Sequence, residues 1–408
     1  MKRALVAIAK GAFNVIYKLT SSNERHNEVV FLSRQADEPR YDFQQIAEEF
    51  RRRGWQTTMH LKKVKIRNLP IYTIHVLKEL KLLGRCKIAI LDRYDPVVSL
   101  LDFECEKPGT SSESAAVNSD FPIKPVIVQL WHAFGAFKKF GYQSVDTPEG
   151  HSADFTSAFN IHRNYSWVMC SGSGARTQFA EAFACPPDRV IAMDRPEYDK
   201  LAACCRKLEP ARKQRRQLIE AGKQPYRVLI APTLRICEDS SHPLRDLYEH
   251  RASFEQTLHA HLAALGSPLI GVELIWSFHP LEANLPAPSS VSDELLACDC
   301  MVTDYSSIVY EAYLLHIPTV FYVHDLDEYR LSPGLNADPG TSCPNLCTRS
   351  PVELAELLAN FAAAPSSYPE RELDDFAASA FDIDVPRTGS AAARFVDFAI
   401  NACKQEGN

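Results

Sequence analysis

Short apolar runs alternate with longer stretches of helical spacing along most of this chain. The runs at Glu28–Arg34, Trp55–Leu61, Cys86–Asp92, Val126–Trp131, Trp167–Ser171 and Val190–Met193 are brief and apolar, as buried strands are. Between them, Tyr41–Arg53 and Ile71–Leu83 repeat apolar residues at helical intervals and stop at Gly54 and Gly84. Strands that alternate with helices predict a parallel, doubly wound sheet. A second series follows at Arg227–Ala231, Leu274–Phe278, Cys300–Thr303 and Thr319–Tyr322, again with helical stretches between, and predicts a second unit of the same kind. Leu208–Gln224, dense in Arg, Lys and Gln, reads as a helix linking the two. Glu104–Lys124, rich in Ser, Glu and Pro, reads as a surface loop, and Ala391–Cys403 as a terminal helix.

The first twenty residues have their own pattern. Leu5, Ile8, Ala9, Ala12, Ile16 and Leu19 follow helical spacing, and Arg3, Lys10, Asn14 and Lys18 gather opposite them. Such a helix lies in a membrane interface or packs on the protein's own core; Lys10 interrupts the apolar run, so a span is not expected. Charge sharpens the question. Residues 1–90 hold 18 Lys/Arg against 8 Asp/Glu, net +10, within a chain of formal net charge −6. An excess of that kind suits an anionic partner, and with no nucleic-acid recognition motif in view a membrane surface fits best. Arg51–Arg53 and the run Lys62, Lys63, Lys65, Arg67 add to it.

With 408 residues the chain is long enough for two full cores, and 46% apolar content excludes wholesale disorder. Twelve cysteines are scattered without paired CxxC knuckles, so reduced thiols are expected and no metal site or cofactor is assigned. Neither a P-loop nor a GxGxxG fingerprint occurs.

Chemistry concentrates where the apolar runs end. Cys300–Val302 leads into Thr303-Asp304-Tyr305-Ser306-Ser307 and then a helix start, which offers donors to an anion and serves equally well as a helix N-cap. Val126–Leu130 delivers Trp131-His132, followed by a glycine-containing loop with Lys138 and Lys139; a histidine there suits proton transfer near phosphate, or a buried structural role. Trp276-Ser277-Phe278-His279-Pro280 and Ala231-Pro232-Thr233-Leu234-Arg235 end two further runs in polar residues. An open α/β sheet presents its ligand crevice at such strand ends.

The ordered set Trp-His…Lys-Lys, Ala-Pro-Thr-x-Arg, His-Pro, Thr-Asp-Tyr-Ser-Ser-x-x-x-Glu, then Pro318-Thr319-Val320-Phe321-Tyr322 and Asp325–Arg330, resembles the CDP-glycerol glycerophosphotransferase family, the teichoic-acid primases and polymerases. The likeness runs from about Val126 to Arg394 and is loose before that. It implies a GT-B architecture, α/β with two Rossmann-like doubly wound domains facing a central cleft, divided here at 1–207 and 208–385 with 386–408 returning. It also implies transfer of a polyol phosphate, glycerol phosphate first, from a CDP-polyol to a hydroxyl of a lipid-linked saccharide or polyol-phosphate acceptor. CMP is released, at the cytoplasmic face of the membrane.

By the same resemblance His132 is the general base and His279 the histidine at the donor phosphate. Arg235, Thr303, Ser306, Ser307 and Glu311 are donor-binding, with Lys138, Lys139 and Arg394 as further phosphate or acceptor contacts. The chain departs from the family pattern at Ala133, usually Gly, at Ser277, usually basic, and at Glu311, usually Asp. Two other readings stand beside this one: a GT-B glycosyltransferase using a nucleotide sugar, and a weakly active membrane-bound scaffold.

Overall fold

The computed structural model describes residues 2–22, 24–63, 69–103, 124–235, 242–266, 271–279, 282, 285–286, 291–383, 385 and 387–405. The loop expected at Glu104–Lys124 lies, but for Lys124, outside them, as does the Val64–Arg67 part of the basic run.

Two wholly parallel sheets form. The first holds β1 (His26–Ser33), β2 (Gln56–Leu61), β3 (Cys86–Leu91), β4 (Val126–Gln129), β5 (Trp167–Cys170) and β6 (Val190–Ala192), in the order β2-β1-β3-β4-β5-β6. The second holds β7 (Tyr226–Ile230), β8 (Val272–Trp276), β9 (Cys300–Thr303), β10 (Thr319–Tyr322) and β11 (Cys347–Thr348), in the order β11-β10-β9-β7-β8. This is the α/β architecture of two doubly wound sheets that the periodicity predicts. Only β11 escapes it, because two residues cannot display a period. The linking helix begins earlier than expected and runs Pro196–Glu220. Pro196 sits in its first turn, where a missing N–H costs nothing.

Each sheet reverses its strand order at one place, β1/β3 in the first and β7/β9 in the second. Crevices open at such switch points, at the carboxyl ends of the strands. The terminal helix Ala391–Gln405 packs Phe395, Val396, Ala399, Ala402 and Cys403 onto the first sheet's core beside Phe31, Phe43 and Ile88. Helix Lys2–Thr20 buries Tyr17 and packs Phe13 and Ile16 against the other face of that sheet.

The segment after β4 joins the two units. Phe134 and Phe137 leave the first sheet and are buried in the second unit's core, with the Phe137 ring 5.0 Å from Phe376 and 6.1 Å from Phe321. Lys139 N–H donates to the Gly334 carbonyl at 2.9 Å and Asn336 N–H to that of Phe137 at 2.9 Å. Gly135 is required at this crossing, because a Cβ there would stand 2.5 Å from the Tyr310 ring. Burying one such phenylalanine contributes about 1.5–3 kcal/mol, so this plug is a principal tie between the units.

Candidate active site

His132 follows a bend in the backbone. Trp131 has φ 63°, a left-handed conformation that a bulky residue rarely adopts and that recurs at functional positions. Its N–H donates to Gln129 Oε1 at 3.0 Å, and its ring is wedged against Phe140 at 4.8 Å and Phe183 at 5.3 Å. The next residue is thereby turned toward the crevice of the first sheet. Nδ1 of His132 is buried and has no hydrogen-bond partner among the described residues. Burial, reinforced by the Arg93, Arg40 and Arg195 guanidinium groups, pushes the imidazole down to about 3. The ring is therefore neutral around pH 7, the form that accepts a proton.

These arginines come from three elements. Arg40 precedes helix Tyr41–Arg52 behind β1, with Nη2 3.4 Å from the His132 carbonyl. Arg93 follows β3, and Arg195 precedes the linking helix, where Asp42 (2.6 Å) and Glu197 (2.8 Å) hold it. Its Nη1 is buried with no hydrogen-bond partner among the described residues.

At the switch point of the second sheet, Asp304 accepts from Thr233 N–H at 2.7 Å and pairs with Arg235 at 3.1 Å. Arg235 also pairs with Asp325, at the end of β10, and lies over the Tyr329 ring, which stacks on Tyr305 at 3.7 Å. The guanidinium expected to meet the donor is thus a buried tie between β7, β9 and β10, and its charge is balanced within the fold. Thr303 is fully buried and donates its hydroxyl to the Ala231 carbonyl at 2.7 Å. Ser306 is half-buried and Ser307 exposed, and helix Ile308–Leu314 starts on Ser307 without a side-chain capping bond. The two hydroxyls therefore remain available to a ligand, which the motif alone left open against a simple cap.

Glu311 lies one turn into that helix. Burial and the nearby Glu197 push its carboxyl up to about 7, against the pull of Arg195, Arg40 and Lys200. Glu311 and His132 thus share Arg40 and Arg195 as neighbours, although one belongs to the second unit and the other to the first. His279 stands exposed after β8, and the Ser277 hydroxyl is buried without a partner among the described residues, where the family pattern carries a basic residue. Lys138 pairs with Glu149 at 3.3 Å and Lys139 is exposed, while Arg394 pairs with Asp194 at 3.2 Å and donates to the Gly389 carbonyl at 2.8 Å. Arg40, Arg93 and Arg195 were not among the residues singled out by sequence. The strand-end rule that selected His132 also reaches Arg93, directly after the run Cys86–Asp92, whereas Arg40 lies seven residues past β1 with nothing local to mark it.

A family model described as CDP-glycerol:poly(glycerophosphate) glycerophosphotransferase matches residues 15–397. Among curated relatives, the teichoic acid ribitol-phosphate primase of Bacillus spizizenii is 28% identical over 350 residues, 81% of this chain and 82% of that protein. The teichoic acid glycerol-phosphate primase of the same species is 26% identical over 311 residues, 70% and 72% of the two. Among solved structures, the wall teichoic acid polymerase TagF superposes with a TM-score of 0.63 at 17% identity, over 98% of this chain and 95% of that one, and shares the GT-B fold. The chain belongs to the CDP-glycerol:poly(glycerophosphate) glycerophosphotransferase family, and it is an enzyme that transfers a polyol phosphate from a CDP-polyol.

Proposed function

We infer that the donor is CDP-glycerol and that the acceptor is a lipid-linked saccharide or polyol phosphate used in teichoic-acid or related glycopolymer synthesis. What supports this reading is that Arg40 and Arg195 bear electrostatically on both His132, in the first unit, and Glu311, in the second. In the reaction an acceptor hydroxyl attacks the donor's β-phosphorus. The new O–P bond forms as the bond to CMP breaks, and the hydroxyl proton passes to His132. An anion arriving beside the surrounding guanidiniums offsets their field, which raises the basicity of the ring when substrate is present. Ser306, Ser307 and His279 hold the diphosphate, and Glu311 reaches the ribose hydroxyls. Most of the rate gain then comes from positioning and charge neutralisation. TagF has been soaked with CDPG, which supports the donor class. The similarity to a ribitol-phosphate primase favours CDP-ribitol as a second reading.

The test is nucleotide release with a lipid-linked acceptor, read as CMP from CDP-glycerol or CDP-ribitol and as the nucleoside diphosphate from a nucleotide sugar. Release from the nucleotide sugar alone would overturn the reading. Ser307→Ala and His279→Ala are expected to weaken CDP-glycerol and CDP about tenfold, as loss of one charge-assisted contact does, and CMP less, since it lacks the β-phosphate. Equal losses for CDP and CMP would remove these residues from the diphosphate.

The enzyme works at an anionic membrane surface. No helix among the described residues is long and apolar enough to cross a membrane. Helix Lys2–Thr20 instead presents Leu5 (61% exposed), Ile8 (69%), Val15 and Leu19 (81%) outward in one stripe. Ile16, assigned to that stripe from its spacing, packs on the core. Lys10 and Asn14 hold Asp102, at 2.9 Å for the ion pair and 2.8 Å from the Asp102 N–H to Asn14 Oδ1. Helix Leu69–Leu83 packs beside it with Ile71, Ile74 and Leu77 exposed and Lys78 and Lys81 at its surface. Apolar faces flanked by lysines suit the headgroup boundary of an anionic bilayer. Leu5→Glu with Ile8→Glu is expected to abolish most binding to anionic vesicles at low salt while sparing turnover of a soluble acceptor analogue. Undiminished vesicle binding would assign contact to another surface.

A further inference from the structure

His60, His75 and Glu79 meet at the edge of the first sheet, and the transfer reaction uses none of them. His60 lies in the edge strand β2, opposite Leu32 of β1. His75 and Glu79 lie one turn apart on helix Leu69–Leu83 and share a face of it. One ligand atom from each of the three lies within 4.8 Å of the other two. The imidazole rings of His60 and His75 stack at 3.9 Å and 16°, and His75 Nε2 is 3.9 Å from Glu79 Oε2. His75 is only 7% exposed and Glu79 1%. Yet His75 Nε2 and both carboxyl oxygens of Glu79 have no hydrogen-bond partner among the described residues. Three orphaned polar atoms in one buried place are costly unless something fills the gap between them.

The donor set says what fills it. Two imidazoles and a carboxylate suit Zn²⁺ and its late first-row neighbours, whereas Mg²⁺ and Ca²⁺ take oxygen ligands. His60 Nε2 donates to the His75 carbonyl at 3.1 Å, a bond of the kind that orients ligating histidines, and this leaves Nδ1 with the lone pair. The surrounding charge points the same way. Arg34, held over Tyr72 at 4.9 Å, bears on the group with positive charge, as do Lys62 and Lys78, and Asp95 bears on it with negative charge. A site so balanced holds a cation by coordination and not by long-range attraction, which disfavours a hard ion. The stacked rings open by side-chain rotation to close on an ion with bonds of about 2.0–2.2 Å. We propose that His60, His75 and Glu79 bind one Zn²⁺-class ion, with water in the fourth position, and that the ion clamps helix Leu69–Leu83 to β2. The clamp is structural and separate from polyol-phosphate transfer.

The test uses the full-length chain, stripped of metal by a chelator that is then dialysed away. Zn²⁺ is expected to bind tightly by calorimetry and to raise the melting transition, and Mg²⁺ to do neither at the same concentration. Twelve cysteines compete for zinc, so Co²⁺ is substituted and its absorption read. A nitrogen–oxygen set is expected to show ligand-field bands without the thiolate charge-transfer band. These wild-type measurements need no variant to fold. His60→Gln and Glu79→Gln are expected to weaken binding about a hundredfold or more, at least the loss seen when a residue supporting a ligand is removed. His60 is half-buried, so the metal-free His60→Gln variant is expected to melt close to the metal-free wild type. Failure of the wild type to bind Zn²⁺, a thiolate band with Co²⁺, or undiminished affinity in folded His60→Gln would each overturn the proposal.

Discussion

Replacing His132 by alanine is expected to lower turnover by about a hundredfold or more while CDP-glycerol still binds, as loss of a general base does. The imidazole is neutral in the free enzyme, since burial and three guanidinium groups disfavour its charged form. It is therefore ready to take a proton without first losing one, and bound phosphates that offset the guanidinium field raise its basicity. Single-turnover measurement of CMP release at saturating donor separates the two quantities. Near-normal turnover with intact donor affinity would remove His132 from the chemistry, and loss of donor affinity alone would make it a binding residue.

The second large effect concerns stability. Arg235→Ala leaves Asp304 and Asp325 buried and facing each other without their shared cation, and removing one partner from a buried pair costs about 3–5 kcal/mol. For a unit of this size the melting transition is expected to fall on the order of 10 °C, with donor affinity falling alongside it because Asp304 orders the turn that carries Ser306 and Ser307. Calorimetry of the wild type and the Arg235→Ala variant checks the first part. An unchanged transition would show that the guanidinium is not a structural tie, and would return it to the set of groups able to meet a phosphate.

What could be read from the sequence follows from how each feature is written in it. Strands that begin and end within a few residues of a polar motif, such as β4 before His132 and β9 before Ser306, are local patterns, and both lie where periodicity predicts. The partners of Arg235 are not local. Its ion pairs depend on β7 lying beside β9 and β9 beside β10, an order that no short window contains. The loop after His132 points in sequence, by its glycines and lysines, to a phosphate site. Its two phenylalanines have no period, so their burial in the opposite unit was not legible, nor was the commitment of Lys138 to Glu149. Helix Lys2–Thr20 was read as having one apolar face, yet it has two, because Phe13, Ile16 and Tyr17 meet the core while Leu5, Ile8, Val15 and Leu19 look outward.

The plug formed by Phe134 and Phe137 also governs how the molecule comes apart. A fixed point between the units lies only a few residues from the proton acceptor. Division of the chain within the linking helix would not release two independent proteins. The carboxyl-terminal fragment would carry an empty aromatic socket lined by Tyr310, Phe321 and Phe376, and the amino-terminal fragment an unsheltered pair of phenylalanines. Mixed together, the fragments would be expected to find each other through that joint.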